Sequence, residues 1–505
     1  MRFRPYRAAL LAAATLAAPA PAETLREALL KAYQGNPTLT GQRAAQRAND
    51  ENVPIERSFG LPSLNANGTY TEQLIIPGNN PFAAQRQVNA GANLGVPLYL
   101  GGRVRNATRA ARSRVEAGQA QLRGTEADLF TEVVGAYMDV IRDDAIVQLN
   151  AQQVRVLDVN LRASRDRFEV GDVTRTDVAQ SEARLALARA DLQSAEAQLI
   201  ASRENYVRLV GTPPTALADP PPLPNLPATP EDAVTSAIED NPALAAAARQ
   251  REAARYDVGV ARSERMPRLN GVAGGNYFNA LGSIAGQPGF NATQSTTGAS
   301  AGVQLAVPLF QGGRPGALVR QAQAREGQAI ENVTATERFV VSQTRSAFAI
   351  NQSTRQVIAS AEAAVAANKL ALEGVRAENS VGTRTVLDIL DAEQELLNSQ
   401  VTLVSARRDA YVAGFALLAA MGEAEARDLG LDGGALYDPT VNYRRVRRRL
   451  NDFDSDPAPQ PVAAGTSNVP RQTARPERRL DPSLDDAGVD RRPGLTTGSS
   501  APDRR

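Results

Sequence analysis

The chain contains no cysteine, no histidine and no tryptophan. Without cysteine there is no disulfide, no thiol nucleophile and no thiolate metal site. Without histidine the commonest general base and metal ligand is missing too. Aromatics make up only 5% of the 505 residues, so packing has to rest on Ala, Leu and Val within a hydrophobic fraction of 43%. The formal net charge of +1 carries no whole-chain signal for nucleic acid. Beyond the N-terminus no stretch reaches the roughly 18 consecutive apolar residues of a spanning helix. These absences argue against an enzyme. They also leave only a β-barrel as a way to sit in a membrane.

The N-terminus reads as a secretory leader over residues 1–22. Arg2, Arg4 and Arg7 precede a short apolar run around Leu10, Leu11 and Leu16, and Ala20-Pro21-Ala22 fits an A-x-A cleavage site. The run is too short for an anchor helix, and no cysteine follows it to carry a lipid.

The remainder repeats itself. Asn36-Pro37-Thr38-Leu39 returns as Asn241-Pro242-Ala243-Leu244, and Pro62-Ser63-Leu64-Asn65 returns at the same offset as Pro267-Arg268-Leu269-Asn270. At a slightly larger offset, Val96-Pro97-Leu98-Tyr99-Leu100-Gly101-Gly102-Arg103 returns as Val307-Pro308-Leu309-Phe310-Gln311-Gly312-Gly313-Arg314. Val170-Gly171 and Asp177 then align with Val381-Gly382 and Asp388. The pattern divides the chain into a first repeat over 23–211 and a second over 231–437. A proline-dense linker over 212–230 joins them. Residues 438–505 read as a disordered tail rich in Pro, Asp and Arg, opening on a basic run from Arg444 to Arg449. That run offers charge to anionic partners, although a solvated tail is the plainer reading.

Each repeat holds two strand-like segments. Val88, Ala90, Ala92, Leu94, Val96 and Leu98 alternate with Asn89, Gly91, Asn93, Gly95 and Pro97. Ala299, Ala301, Val303, Leu305, Val307 and Leu309 alternate in the same way, and the segments from Leu64 to Tyr70 and Leu269 to Tyr277 are weaker partners. A period of two over roughly ten residues suits a tilted transmembrane strand, and it suits a soluble two-sided sheet as well. Four strands cannot close a barrel, because about eight is the smallest number that does. If these strands span a membrane, several chains have to contribute.

Both repeats end in long proline-free stretches, Leu98 to Thr212 and Gly316 to Asp438, each interrupted once by Gly171 or Gly382. This predicts two helices per stretch. The piece from Arg103 to Phe168 alone would extend roughly 100 Å at about 1.5 Å per residue. Leu185, Leu192, Leu199 and Tyr206 fall at heptad spacing, with Ala188, Ala195, Ser202 and Leu209 three residues on. Leu396, Leu403, Ala410 and Leu417, with Ser399, Ala406, Ala413 and Ala420, repeat the pattern. Asn36-Pro37 and Asn241-Pro242 read as helix starts, with Asn as the cap and Pro as the first helical residue.

Taken together, Val381-Gly382-Thr383-Arg384-Thr385-Val386-Leu387-Asp388-Ile389-Leu390-Asp391-Ala392, Pro308-Leu309-Phe310-Gln311-Gly312-Gly313 and Arg167-Phe168-Glu169-Val170-Gly171 resemble the signatures of the TolC outer-membrane efflux proteins. The resemblance runs over roughly 23–437. It implies a homotrimer whose twelve strands, four per chain, form one outer-membrane β-barrel, continuous with a long periplasmic α-helical coiled-coil barrel. It implies docking onto a periplasmic adaptor and an inner-membrane transporter of ABC or RND type, export of proteins or drugs, and no cofactor. By the same resemblance, Asp388 and Asp391 ring a closed periplasmic entrance. Arg384 latches it against Thr176 and Asp177, and Gly171 and Gly382 form the tip turns that meet the adaptor. Asn379 stands where the family often has tyrosine, which puts one latch contact in doubt. Spacing alone says only that Asp388 and Asp391 share a helix face, as ordinary solvated charges also would. A coiled-coil adaptor of the periplasm would explain the long helices but not two copies of strand, strand, helix, helix. A periplasmic enzyme with Asp388 and Asp391 as paired carboxylates lacks any further catalytic signal.

Overall fold

The computed structural model describes residues 22–75, 83–284, 293–431 and 436–484. The leader over 1–22 thus lies, apart from Ala22, outside the described residues, as does the tail beyond 484. The first half of the chain runs α1 (Leu25–Gly35), α2 (Pro37–Asp50), α3 (Asn52–Ser58), β1 (Ser63–Glu72), β2 (Arg86–Tyr99), α4 (Arg103–Glu169) and α5 (Arg175–Val210). The second half runs α6 (Pro230–Asp240), α7 (Pro242–Ser263), β3 (Arg268–Asn279), β4 (Ser295–Ala306), α8 (Arg314–Ser380) and α9 (Val386–Met421). A short α10 (Thr440–Val446) follows. The long helices match in length between the halves: α4 and α8 have 67 residues each, and α5 and α9 have 36 each.

Local chemistry sets the helix ends. Asn36 caps α2 by accepting from the N–H groups of Thr38 and Leu39, with Pro37 as the first helical residue. Asn241 and Pro242 do the same for α7. Gly171 (φ +81°) and Gly382 (φ +82°) end α4 and α8 in the left-handed region, where a side chain would be strained. The heptads are buried seams. Leu185, Leu199, Tyr206, Leu396, Leu403 and Leu417 are all 3% exposed or less, while Leu192 and Ala410 are half-buried. Their partner positions Ala188, Ala195, Ala406 and Ala413 are buried too, so the small residues do let helices approach closely.

The four strands form one antiparallel sheet in the order β1-β2-β3-β4. The centre of the sheet joins the two halves through the β2–β3 pairing, with an irregularity between Pro97 and Tyr99 that accommodates the missing N–H of the proline. The register places Leu64, Tyr70, Ala92, Leu94, Val96, Ala273, Ala301 and Val303 on one face. Asn65, Asn67, Asn93, Gly91, Gly274, Asn276 and Ser300 lie on the other. The apolar face is open to solvent in a single chain: Leu64 and Val303 are each 72% exposed. β4 ends at Ala306, short of the predicted Leu309. Ala306 pairs with Arg268, the first residue of β3, so Val307 onward has no strand to bond to.

No helix among the described residues is long and apolar enough to cross a membrane. The main core lies midway along α4, against the C-terminal parts of α5 and α9, where α1, the linker and residues 424–431 and 436–437 meet around Phe130, Tyr137, Leu199, Tyr206 and Phe415. The described part of the tail, up to residue 484, makes ordered contacts. Residues 440–446 are helical, and the segment reaching Leu484 packs against the long helices, with Leu484 only 2% exposed. Tail composition reads as unstructured because nothing within the tail is apolar enough to form a core. Its ordering comes from a groove built elsewhere.

Fully buried Tyr137 ties this core together, its hydroxyl lying 2.9 Å from the Glu23 carbonyl oxygen and 2.7 Å from that of Ala218. Tyr137→Phe would leave both carbonyls without that donor at a cost of about 1–3 kcal/mol. Thermal unfolding followed by circular dichroism should show a lowered midpoint for this variant, and an unchanged midpoint would remove Tyr137 from the list of structural locks.

Candidate entrance at the helical hairpin tips

The sequence-predicted site residues lie at one end of the molecule, where α4 turns into α5 and α8 turns into α9. Both turns are built alike. At the first, the Gly171 N–H donates to Phe168 O (3.0 Å) and the Asp172 N–H to Arg167 O (2.8 Å). At the second, the Gly382 N–H donates to Asn379 O (3.0 Å) and the Thr383 N–H to Glu378 O (3.1 Å). These bonds satisfy carbonyls that a helix end would otherwise leave open. Val170 and Val381 stand beside the two glycines, 77% and 74% exposed. Each tip therefore presents an aliphatic side chain to solvent.

The next turn starts on a capping box. Thr174 caps α5, and the Asp177 carboxylate accepts from the Thr174 N–H at 2.8 Å. Thr385 caps α9, and the Asp388 carboxylate accepts from the Thr385 N–H (2.8 Å) and hydroxyl (2.7 Å). Those hydrogen bonds from the Thr385 side chain and backbone, with the nearby charge of Arg384, hold the Asp388 carboxyl below its ordinary value. Asp388 is thus an ionised group at neutral pH with a structural task as well as a charge.

Arg384 donates to Glu378 at 2.7 Å and lies 3.8 Å from Asp388, both on its own hairpin. Thr176 is exposed, and Asp177 is occupied by its cap. Within one chain the structure therefore does not bring Arg384 to Thr176 or Asp177. Asn379 braces the turn instead of a neighbour: its side-chain N–H donates to the Arg384 carbonyl oxygen at 2.7 Å.

Near the tips Arg184 of α5 pairs with Asp391 of α9 at 2.5 Å, an ionic contact between the two hairpins; further along, Arg408 of α9 pairs with Asp139 of α4 at 2.8 Å. Beside the Arg184–Asp391 pair, Leu390 is buried against Leu157, Leu161, Leu185 and Ala188 of the first hairpin. Arg184 is absent from the sequence-predicted set, since nothing local marks a cation whose partner lies in the other half of the chain. Glu393, two residues further along α9 than Asp391, is buried and paired with Arg376 of α8. Asp388, Asp391 and Glu393 therefore differ in role along the start of α9. Asp388 is held by the cap and Glu393 by its own hairpin, while Asp391 reaches across to the other half.

Known proteins share this architecture. The family model described as outer membrane efflux protein matches residues 28–212 and 233–423, one segment in each half. The outer membrane efflux protein BepC of Brucella suis biovar 1 (strain 1330) is 34% identical over 426 residues, covering 84% of this chain and 91% of BepC. The outer membrane protein TolC of Vibrio cholerae serotype O1 is 28% identical over 427 residues, covering 82% of this chain and 94% of that protein. The crystal structure of the Vibrio cholerae outer membrane protein VceC superimposes with a TM-score of 0.67 at 22% identity, over 79% of this chain and 96% of VceC. A solvent-open apolar sheet face above very long helices is what such a channel requires, and the chain belongs to the outer membrane efflux protein family as an outer-membrane export channel that extends into the periplasm.

Proposed function

We propose that three copies of this chain assemble into one duct, whose twelve strands close an outer-membrane barrel and whose helices continue it through the periplasm. The observation that carries this reading is the sheet. It has one apolar face, one face of asparagine, glycine and serine, and two unpaired edges at β1 and β4. Lipid tolerates no such edges, so β4 of one copy pairs with β1 of the next. The apolar face then meets lipid and the asparagine face lines the bore. α8 supports the same assembly. Ile350 and Leu370 on this helix are 55% and 70% exposed in one chain, a surface suited to a neighbouring copy. The matching element order of the two halves is that of a tandem repeat, which gives six similar helical hairpins around the axis.

The duct docks onto a periplasmic adaptor and an inner-membrane transporter of ABC or RND type, exports proteins or drugs, and runs no chemistry of its own. The turns at Gly171 and Gly382, with the exposed Val170 and Val381, are the adaptor contacts. Asp388 and Asp391 from three chains form a ring of carboxylates at the periplasmic entrance, which attracts cations to the constriction. Arg184 with Asp391 closes the entrance within a chain. Arg384, Thr176 and Asp177 act as latch residues across the join between chains, because inside one chain Arg384 is engaged with Glu378 and Asp388. Solvent-exposed pairs of this kind are individually weak, which suits a latch that has to open.

Replacing Asp388 and Asp391 together with Ala should weaken block by divalent cations about tenfold in planar bilayers, a shift of the size one lost ionic site produces. Arg384→Ala should raise the closed-state current. Unaltered block and current would remove these residues from the entrance. In a separate test, Val170→Asp with Val381→Asp should abolish copurification of the cognate adaptor while the trimer persists on gels. Retention of the adaptor would place its contact elsewhere.

A further inference from the structure

We propose that residues 472–484 are a strap seated in a groove across both helical hairpins, and that its seating restrains the second hairpin against the first. This deepens the reading of the chain as a gated duct, and it concerns a segment well away from the entrance residues.

The groove is a built site. On the first half, Arg203 of α5 and Asp144 of α4 are both 2% exposed and lie 3.4 Å apart. A buried guanidinium is costly unless several acceptors meet it. The strap supplies them: Arg203 donates to the Thr473 carbonyl oxygen at 2.7 Å and sits 3.5 Å from the Glu477 carboxylate. The Glu477 N–H in turn donates to Asp144 at 3.0 Å. Burial raises the Asp144 carboxyl above its ordinary value, and the hydrogen bonds from Glu477 and Gln148 oppose that. The Gln472 N–H donates to Glu204 at 3.0 Å. The linker joins in, since the Ala216 N–H donates to Glu477 and Arg478 pairs with Asp219.

On the second half, Arg407 of α9 pairs with Asp481 at 2.5 Å and donates to the Ser483 hydroxyl at 3.3 Å. Lys369 of α8 donates to the Ser483 carbonyl oxygen and Gln400 of α9 to that of Leu484, both at 3.0 Å. Leu484 ends the strap inside an apolar cluster with Leu149 of α4, Val365 and Leu372 of α8, and Leu396 and Leu403 of α9.

Position gives the strap its effect. Counting along the helices at about 1.5 Å per residue, Arg203 lies roughly 40 Å from the tips and Gln400 roughly 20 Å. The strap thus crosses from the first hairpin to the second above the Arg184–Asp391 contact. For the second hairpin to swing outward, α8 and α9 would have to leave α4 and α5, stretching these bonds and lifting Leu484 out of its cluster.

The test uses the full-length channel reconstituted in lipid. Trypsin should cleave after Arg478 and Arg479 about tenfold more slowly in the native channel than in Leu484→Asp, a ratio worth one lost anchor of about 1.4 kcal/mol. Leu484→Asp should raise the closed-state conductance about fivefold, the lower end of ordinary coupling between sites. Block by divalent cations should stay as in the native channel, because Asp388 and Asp391 are intact. Should Leu484→Asp fail to assemble, a chain ending at Arg471 replaces it, and adding the peptide of residues 472–484 should return its conductance to the native level. Equal trypsin rates would overturn the seating. Release of the strap with unchanged conductance, or no response to the peptide, would overturn the restraint. If conductance responds to the strap while Asp388→Ala with Asp391→Ala leaves block unaltered, the strap stands and the carboxylate ring falls.

Discussion

A sheet edge in lipid leaves a row of backbone N–H and C=O groups without partners, and each such group costs several kcal/mol, roughly the price of a lost hydrogen bond in hydrocarbon. This chain has two such edges, β1 and β4, on a sheet of four strands. The apolar face of the sheet adds a second demand, since Leu64, Val303 and Leu305 are open to solvent in a single copy. Both demands are met at once when copies join edge to edge with the apolar face outward. In the proposed assembly the helices follow the strands: α4 follows β2 after three residues and α8 follows β4 closely, so a ring of strands would set a ring of helices. The exposed aliphatic positions of α8 then fall where a neighbour can cover them.

Most of this architecture was legible in the chain because it is written in local periods. Strands with one apolar and one asparagine-rich face alternate strictly, and seams of Leu and Ala recur every seventh residue. Gly171 and Gly382 stand alone as breaks in long proline-free stretches. Pairing between the halves is not local. Nothing near Val88 says that its partner is Asn279, and nothing near Leu309 says that β3 begins too late to pair with it. The contacts of residues 472–484 are not local either. Composition describes what this segment can do alone, whereas its order depends on Arg203, Asp144 and the cluster around Leu372, all distant in sequence.

The hairpin tips divide along the same line. The signature around Asp388 located the tip, and Thr174-x-x-Asp177 and Thr385-x-x-Asp388 already spell capping boxes. Asp177 and Asp388 are each held by their own helix start. Arg184 could not be found by pattern, because it meets Asp391 only once the two hairpins pack around Leu390. The resulting picture assigns different tasks to neighbouring acids. Asp388 is a cap whose carboxylate also points to solvent, Asp391 bridges the hairpins, and Glu393 is buried with Arg376.

The open edges make the number of chains per complex the decisive quantity. Native mass spectrometry of the detergent-extracted outer-membrane protein measures it directly. The account predicts three copies of this chain in each complex, with twelve strands closed among them. A complex of one chain, stable in detergent with its sheet edges unpaired, would contradict it.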